Sequence, residues 1–207
     1  MFVEALFAGK PRPFGPRQSP SSIIKQPFTE LNVMHDGAVE DEQGNKKLHG
    51  GPEMAMHQFA QESYAILKKQ FPAIASKLVL GSIGENISAA DMSDTTVFIG
   101  DVYRIGEVVL EVNSPRAPCS KINQRYAEKN IDLFIAEHGI TGWYYRVIET
   151  GKMCIGDKFE LQHRLSRTCS IKEIMRLVRN KDVASIEKVE AASINGMAKE
   201  WVNKLTK

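Results

Sequence analysis

The hydrophobic and polar positions follow two different periods along the chain, and the change falls near Ser170. Before it, apolar residues stand in short runs between Gly, Pro and polar residues, as in 107–112 and 142–148. Many short strands with turns at close spacing predict a sandwich or a barrel. After it, apolar residues recur at helical spacing. The pattern predicts a mainly β body over residues 1–163 and a helical appendage over residues 164–207.

The appendage is predicted to contain three short helices. Residues 170–173 read Ser-Ile-Lys-Glu, a capping box that marks the first turn of a helix. A second helix is predicted to start at Asp182, with the apolar residues Val183, Ile186 and Val189. A third is predicted to cover residues 193–205, with Met197, Trp201, Val202 and Leu205 facing inward. Because helices this short cannot bury their apolar faces alone, we expect the appendage to pack against the body or against another subunit.

Apolar residues also recur at helical spacing inside the β body, between Pro52 and Phe71. Pro52 fits the first turn of a helix. Gly50 and Gly51 directly precede that predicted helix and leave backbone N–H groups unshielded, which would make a cradle for an anion. A tight loop that simply enters a helix has the same sequence, so both interpretations stay open.

A second glycine-rich turn lies at Gly81 and Gly84, between two apolar runs. Glycine permits unusual backbone angles or the close approach of a ligand. Glu85 and Asn86 follow directly and would face such a ligand. Otherwise these two side chains close the turn, which for Asn is the commoner role.

Composition matters mainly for the classes of protein that it disfavours. The 207 residues are 43% hydrophobic and 25% charged, which is ordinary for a globular protein, and the net charge is only +2. This balance gives no sign of a nucleic-acid or membrane partner. The sequence has no apolar run of membrane-spanning length and no signal-peptide pattern, so we expect a cytoplasmic protein.

The three cysteines, Cys119, Cys154 and Cys169, are too few and too widely spaced for a disulfide framework, and no CxxC pair occurs. The same spacing argues against a zinc site. We therefore expect reduced thiols. Cys154 lies in a predicted strand and Cys169 directly precedes a helix cap, so both are interpreted as structural.

Cys119 stands in a different setting, on a loop just after a strongly β-forming run. Pro115 and Pro118 remove two backbone donors, so the strand is predicted to stop there and the loop to present its side chains. Arg116 and Lys121 flank the thiol, and nearby cations favour the thiolate, which is both the nucleophilic and the metal-binding form. A buried structural cysteine is the competing interpretation, because free cysteines are among the most buried residues.

Taken together, these segments resemble the MOSC domain, named for the C-terminal part of molybdenum-cofactor sulfurases. The most specific piece is the Arg-x-Pro-Cys-x-Lys loop after a strand. The sequence around Trp143 and the three-helix appendage further resemble the YiiM branch of that family. The resemblance covers about residues 20 to 207, and its four pieces stand in the expected order at 49–52, 84–87, 99–101 and 115–121.

The resemblance implies a mixed β-barrel that binds the molybdenum cofactor, molybdopterin. Carried over, Cys119 would be both the protein ligand of molybdenum and the catalytic residue, and a soft thiolate suits that metal. Arg116 and Lys121 would offset the charge of phosphate and oxo groups. The residues implied as cofactor-binding are His49, Gly50, Gly51, Asn86, Ser114, Arg116 and Lys121.

Two positions depart from the family pattern. Family members often have Gly-Asp where this chain has Glu40-Asp41, and an Arg where it has Met54. Losing that cation removes one expected anion contact. The loss would either weaken cofactor affinity or shift the contact to Lys25 or Lys121.

The function implied is the reduction of small N-hydroxylated compounds, such as N-hydroxylated purine bases. The chain has no Rossmann fingerprint and no iron–sulfur cysteine pattern, so electrons would come from a separate flavoprotein reductase. Glu85 or His49 would be the proton source. The alternative is a carrier or sulfur-transfer module for the cofactor, with Cys119 as a persulfide. A cofactor-free cysteine hydrolase is a third hypothesis, but no clear Cys-His-Asn pattern supports it.

Overall fold

The computed structural model describes residues 1–44, 50–181 and 185–207 of the chain, so predictions about His49 and about a helix start at Asp182 lie outside the described residues. Most of the described strands are short. They are β1 (Val3–Ala8), β2 (Arg12–Phe14), β3 (Ser19–Ser21), β4 (Gln26–Phe28), β5 (Glu30–Met34), β6 (Gly37–Ala38), β7 (Met56–Gln58), β8 (Ile87–Ala89), β9 (Val102–Ile105), β10 (Val108–Pro115), β11 (Trp143–Glu149), β12 (Gly151–Cys154) and β13 (Phe159–His163).

Eight of these strands form one sheet, in the order β13-β9-β10-β11-β7-β8-β1-β4. Its pairs are antiparallel except for β7 and β8, which run parallel. An isolated bridge between Phe2 and Lys158 brings the start of β1 close to β13. Within the described residues, however, the edge strands β13 and β4 are not neighbours. The fold is a mixed, sheet-rich α/β fold, and the closed barrel that we expected is not confirmed.

Two smaller sheets complete the β structure, a three-stranded one in the order β12-β5-β6 and the hairpin of β2 and β3. The hairpin lies in a stretch rich in Pro and Gly residues. Pro13 and Pro20 face each other across this pair. Proline is tolerated in such a two-stranded ribbon, where a missing N–H leaves no inner strand unpaired.

The described helices are likewise short. They are α1 (Gln61–Gln70), α2 (Lys121–Tyr126), α3 (Ile131–His138), α4 (Ile171–Arg179), α5 (Ser185–Ala192) and α6 (Lys199–Leu205). The sequence predicted α4 and the end of α6 at Leu205, whereas α6 starts at Lys199 rather than at residue 193 and α2 was missed. The capping box of α4 is confirmed by one of its two bonds, since the N–H of Glu173 donates to Oγ of Ser170 at 3.2 Å.

The single helix predicted from Pro52 to Phe71 is wrong. This stretch holds a 3-10 turn at Pro52–Met54, then strand β7, and only then helix α1. All three residues of β7 are buried, and the strand pairs with β11 on one side and β8 on the other. Pairing within the sheet therefore outweighs the helical spacing of the apolar residues.

The C-terminal helices pack on the sheet rather than standing apart. Ile174, Trp201 and Leu205 belong to the same buried cluster as Val3 and Leu6 of β1. This agrees with the expectation that the appendage packs on the body. The exact division at residues 163 and 164 stays a prediction.

Helix α5 presents two of its apolar residues to solvent. Ile186 and Val189 are 66% and 57% exposed, and Ala191 is the buried residue of this helix. Among the helices of the described chain, none is both long and apolar enough to cross a membrane.

The shared core predicts a strong effect of Trp201→Ala. Trp201 is 4% exposed, and removing a buried indole costs about 3–5 kcal/mol of the free energy of unfolding. Because the helices and the sheet share one core, urea should unfold the variant in a single transition at a lower midpoint. Ile186→Ala, on the exposed face of α5, is the control and should change stability by less than about 0.5 kcal/mol. A separate early transition, with the sheet unaffected, would contradict the shared core.

Candidate functional site

A cleft opens where the loop after β10 meets the segment after β3 and the strands β7 and β11. Its walls include Ile23, Gly84, His57, Tyr144 and Met54. Of the three cysteines, only Cys119 lines this cleft, whereas Cys154 lies on β12 and Cys169 packs against the main core. None of the three forms a disulfide.

The Cys119 loop is fixed at both ends by backbone hydrogen bonds. Strand β10 ends at Pro115, as predicted, and the N–H of Arg116 then donates to the carbonyl of Gly142 at 3.0 Å. After the half-buried Cys119, helix α2 begins, and the N–H of Ile122 donates to the Cys119 carbonyl at 2.9 Å. The thiol is thus held between a strand end and a helix start.

Arg116 places a buried positive charge in the cleft. The residue is only 9% exposed, and its Nη1 has no hydrogen-bond partner among the described residues. An unpaired buried donor is costly, and a charged donor more so. The site therefore fits a ligand that brings an acceptor, preferably an anionic one, to this guanidinium.

Tyr144 lies beside Arg116. Burial raises the pKa of Tyr144, while the charge of Arg116 and a hydrogen bond from its guanidinium act in the opposite direction. The phenol is therefore protonated at neutral pH. A protonated phenol can donate a hydrogen bond to an acceptor that enters the cleft.

His57 faces Tyr144 across the pair of β7 and β11. The two ring centroids are 5.4 Å apart. Burial lowers the pKa of His57 well below its usual value, and the nearby charges of Arg116 and Lys25 lower it further. The imidazole is therefore neutral. Its Nε2 has no hydrogen-bond partner in the described parts of the chain.

The opposite wall is built on the carboxylate of Asp41. The ammonium of Lys25 bonds both of its oxygens, and both side chains are only 6% exposed. Asn86 Nδ2 donates to Asp41 at 2.9 Å and to the carbonyl of Phe7 at 3.1 Å, and the N–H of Gly9 donates to Asp41 at 2.8 Å. Burial lowers the pKa of Lys25, and Asp41 opposes this shift.

These contacts decide between the cations proposed to replace the arginine missing at Met54. The charge of Lys25 is already neutralised by Asp41. Lys121 instead donates to the backbone carbonyl of Pro20 at 2.7 Å, a neutral partner that leaves its positive charge in place. Both lysines and Met54 line the cleft, so Lys121 is the better match for that role.

The structure brings most of the predicted site residues together. Gly50, Asn86, Arg116, Cys119 and Lys121 all line the one cleft. Whether they bind a cofactor stays a prediction.

Gly51 and Ser114 do not line the cleft. Gly51 precedes a 3-10 turn rather than the helix that was expected to orient an anion cradle. Ser114 is buried and donates to Oδ1 of Asn113 at 3.0 Å.

Glu85, considered as a proton source, closes the glycine-rich turn instead. The carboxylate is fully buried and accepts hydrogen bonds from the hydroxyl of Tyr64 and from the N–H groups of Gly81 and Ile83. It does not line the cleft. Of the two interpretations for this turn, the structural one is therefore right for Glu85.

Sequence reasoning missed His57, Tyr144 and Asp94. His57 was assigned to a helix, so its pairing with Tyr144 could not be anticipated. Asp94 does not line the cleft, but it stabilises the nearby backbone turn at Gly142. Its Oδ1 accepts the N–H of Gly142 at 2.8 Å, and the Gly142 carbonyl accepts from Arg116. No local signal in the sequence links these residues.

Comparison with known proteins supplies the family. The model of the MOSC domain matches residues 45–160. The chain is 31% identical over 203 residues to Protein YiiM of Escherichia coli strain K12, with 98% of this chain and 90% of that protein covered. The chain belongs to the MOSC domain family.

Two further comparisons extend this result. The MOSC chain is 35% identical over 149 residues to a protein named Reductase from Gibberella moniliformis, which covers 72% of this chain but only 26% of that protein. The crystal structure of YiiM from Escherichia coli superposes with a TM-score of 0.80 at 24% identity, covering 99% of this chain and 90% of the other. The second likeness supports the fold alone.

Membership of the MOSC family associates the chain with the molybdenum cofactor. The donor set of the cleft fits such a role. Among the residues described, no three His, Cys, Asp or Glu side chains are grouped to hold a metal ion by themselves. A single thiol beside an unpaired guanidinium instead suits a metal that arrives with an anionic organic ligand of its own.

The hydrogen bond between Gly142 and the buried carboxyl of Asp94 predicts that the stability of the protein depends on pH. Burial raises the pKa of Asp94 from 3.8 to about 7. The folded state therefore holds a proton that the unfolded state releases, and stability falls as the pH rises from 3.8 through about 7. Asp94→Asn removes this proton exchange. The free energy of unfolding of the variant minus that of the parent should therefore be about 2 kcal/mol more positive at about pH 8 than at about pH 5.

Urea unfolding at a series of pH values measures that difference. Asp157→Asn is a control, because this carboxylate holds a turn near β12 through the N–H of Cys154. A difference for Asp94→Asn that stayed constant across the series would show that this carboxyl is ionised in the folded protein at every pH.

Proposed function

We propose that this MOSC protein is an oxidoreductase that reduces N-hydroxylated compounds, such as N-hydroxylated purine bases, by means of a bound molybdenum cofactor. The observation that supports this best is the placement of Cys119 and Arg116 in one cleft. The thiol stands on a loop that presents it, and the guanidinium beside it is buried with one unpaired donor.

Different residues of the cleft would bind different parts of the cofactor. Cys119 would be the ligand of molybdenum, and Arg116 and Lys121 would bind the anionic groups of the cofactor. Gly50 and Gly84 line the same cleft with positive φ angles of 147° and 92°, which residues other than glycine rarely adopt. When bound, the cofactor would supply two-electron redox chemistry beside the N–O bond of the substrate.

A separate flavoprotein would supply the electrons. The sequence has no dinucleotide-binding fingerprint and no iron–sulfur cysteine pattern. The protein named Reductase matches this chain over only 26% of its own length, so most of that protein has no counterpart here. This agrees with an electron-transfer part that lies outside the present chain.

Replacing Cys119 with Ser tests the ligand assignment. Serine has nearly the same volume, but a hard, mostly protonated oxygen takes the place of a soft sulfur. We expect little change in thermal stability, a sharp loss of bound molybdenum, and no reduction of an N-hydroxylated base. Metal analysis of protein from a molybdate-replete host and an assay with a reduced flavoprotein measure the two effects.

Cys154→Ser and Cys169→Ser are the matched controls, since neither thiol lines the cleft. Both should keep the parental turnover per bound molybdenum. Parental activity per molybdenum in the Cys119 variant would rule out the thiolate ligand. A parent protein that binds molybdenum but reduces no N-hydroxylated compound would instead favour a carrier or sulfur-transfer module.

Arg116→Ala tests the anion contact. A hydrogen bond between charged partners contributes about 1.5–3 kcal/mol, so the variant should bind the cofactor about ten- to a hundredfold more weakly. Removing a buried unpaired charge should not weaken the fold. The measurement is molybdenum and pterin content after dilution and gel filtration, together with the melting temperature.

The control for this variant is Arg104→Ala. Arg104 lies on β9 and pairs with Glu149 in an exposed ion pair, away from the cleft. It should retain the parental cofactor content. Equal content in the Arg116 and Arg104 variants would exclude Arg116 as a cofactor contact.

A further inference from the structure

One polar group of the cleft has no part in the scheme above. The hydroxyl of Tyr144 lies on the cleft wall, on the strand that also contributes the core residues Trp143 and Tyr145. Successive side chains along a strand point to opposite faces, so Tyr144 faces the cleft while its two neighbours face the core.

Arg116 and His57 lie next to Tyr144 and influence its protonation and its orientation. Burial keeps the phenol protonated although the nearby charge of Arg116 opposes this effect, so the phenol has a proton to donate into the cleft. The neutral ring of His57 packs against the ring of Tyr144 and restricts its rotation. Cys119 is close enough for its charge to influence the pKa of Tyr144. The phenol is thus an oriented donor near the thiol.

We infer that Tyr144 donates the proton that leaves with the hydroxyl oxygen of the N-hydroxylated substrate. This assignment rests on the proposed function. Reduction breaks the N–O bond, and two electrons from the separate reductase end on the nitrogen. One proton from Tyr144 and the hydroxyl group leave together as water. A second proton, from solvent, completes the amine, and solvent then reprotonates Tyr144 through the cleft mouth.

The other titratable groups near the cleft are less suited to donate this proton. His57 is neutral and buried, so it has no acidic proton at the pH at which it would have to act. Lys25 is bonded to both oxygens of Asp41. Lys121 donates to the carbonyl of Pro20, and Glu85 faces a different part of the fold. Compared with these four groups, Tyr144 lines the cleft with a hydroxyl proton and a ring held by packing against His57.

Tyr144→Phe removes the hydroxyl and keeps the ring, and Tyr145→Phe is its matched control. Tyr145 donates to Oε1 of Gln58 at 2.6 Å in the core, on the opposite face of the same strand. Both variants and the parent are loaded with cofactor and assayed for molybdenum and pterin per chain. Each is then reduced with dithionite and mixed with an N-hydroxylated purine, and the amine formed in a single turnover is timed.

We expect the Tyr144 variant to keep the parental molybdenum content and to form amine about a hundredfold more slowly, since a positioned acid contributes on the order of 10²–10⁴ in rate. The parental rate should be flat from about pH 6 to pH 8, because burial keeps the phenol protonated there. The rate of the variant should fall with rising pH, because its proton comes from solvent.

Other outcomes distinguish a failure of the proposed function from a failure of the proton-donor assignment. If the parent forms no amine, the proposed function fails, and the proton-donor assignment fails with it. If the parent forms amine and the Tyr144 variant is less than about tenfold slower, only the donor assignment is wrong. Loss of molybdenum in that variant would make Tyr144 a cofactor contact instead. An equal slowing in the Tyr145 variant would show that the effect is not local to the cleft.

Discussion

The backbone turn at Gly142 is the constraint on which the cleft depends. Its φ is +67°, and a Cβ there would lie 2.2 Å from the carbonyl oxygen of Gln58, so only glycine fits. The buried carboxyl of Asp94 holds its N–H, and its carbonyl receives the N–H of Arg116. Strand β11 starts directly after it and places Tyr144 opposite His57. One turn thereby sets the position of a cation, a phenol and an imidazole on three separate segments.

The two walls of the cleft differ in how their buried charges are paired. On one wall, the cation of Lys25 is matched to Asp41, and Asn86 completes the shell of that carboxylate, so the wall is rigid and close to neutral. On the other, the charge of Arg116 is buried with an unpaired donor, and His57 is kept neutral beside it. Burying an unmatched charge costs stability in the empty protein, so binding an anion there regains part of that cost. The asymmetry gives a ligand a preferred orientation in the cleft.

Sequence alone predicted the parts of this arrangement that depend on local chemistry. The end of β10 at Pro115 and the cap of α4 follow from proline and Ser-Glu spacing, and both are observed. Periodicity failed where long-range pairing decided the outcome, as in β7, which sits inside a helical pattern. His57, Tyr144 and Asp94 approach one another only through sheet pairing and one turn. Neither spacing nor residue type along the chain contains that information, so the thiol loop was predictable and its surroundings were not.

The core common to the sheet and the C-terminal helices has a consequence for how the protein is made. Val3 and Leu6 of the first strand share one buried cluster with Trp201 and Leu205 of α6. That cluster is incomplete until residue 205 has left the ribosome, so native packing of the first strand must wait for the C-terminal helices. Such distant contacts slow folding, and until they form the apolar faces of the strands remain exposed to neighbouring chains. Yield in cells should therefore depend on chaperone supply and growth temperature more than on the stability of the finished fold.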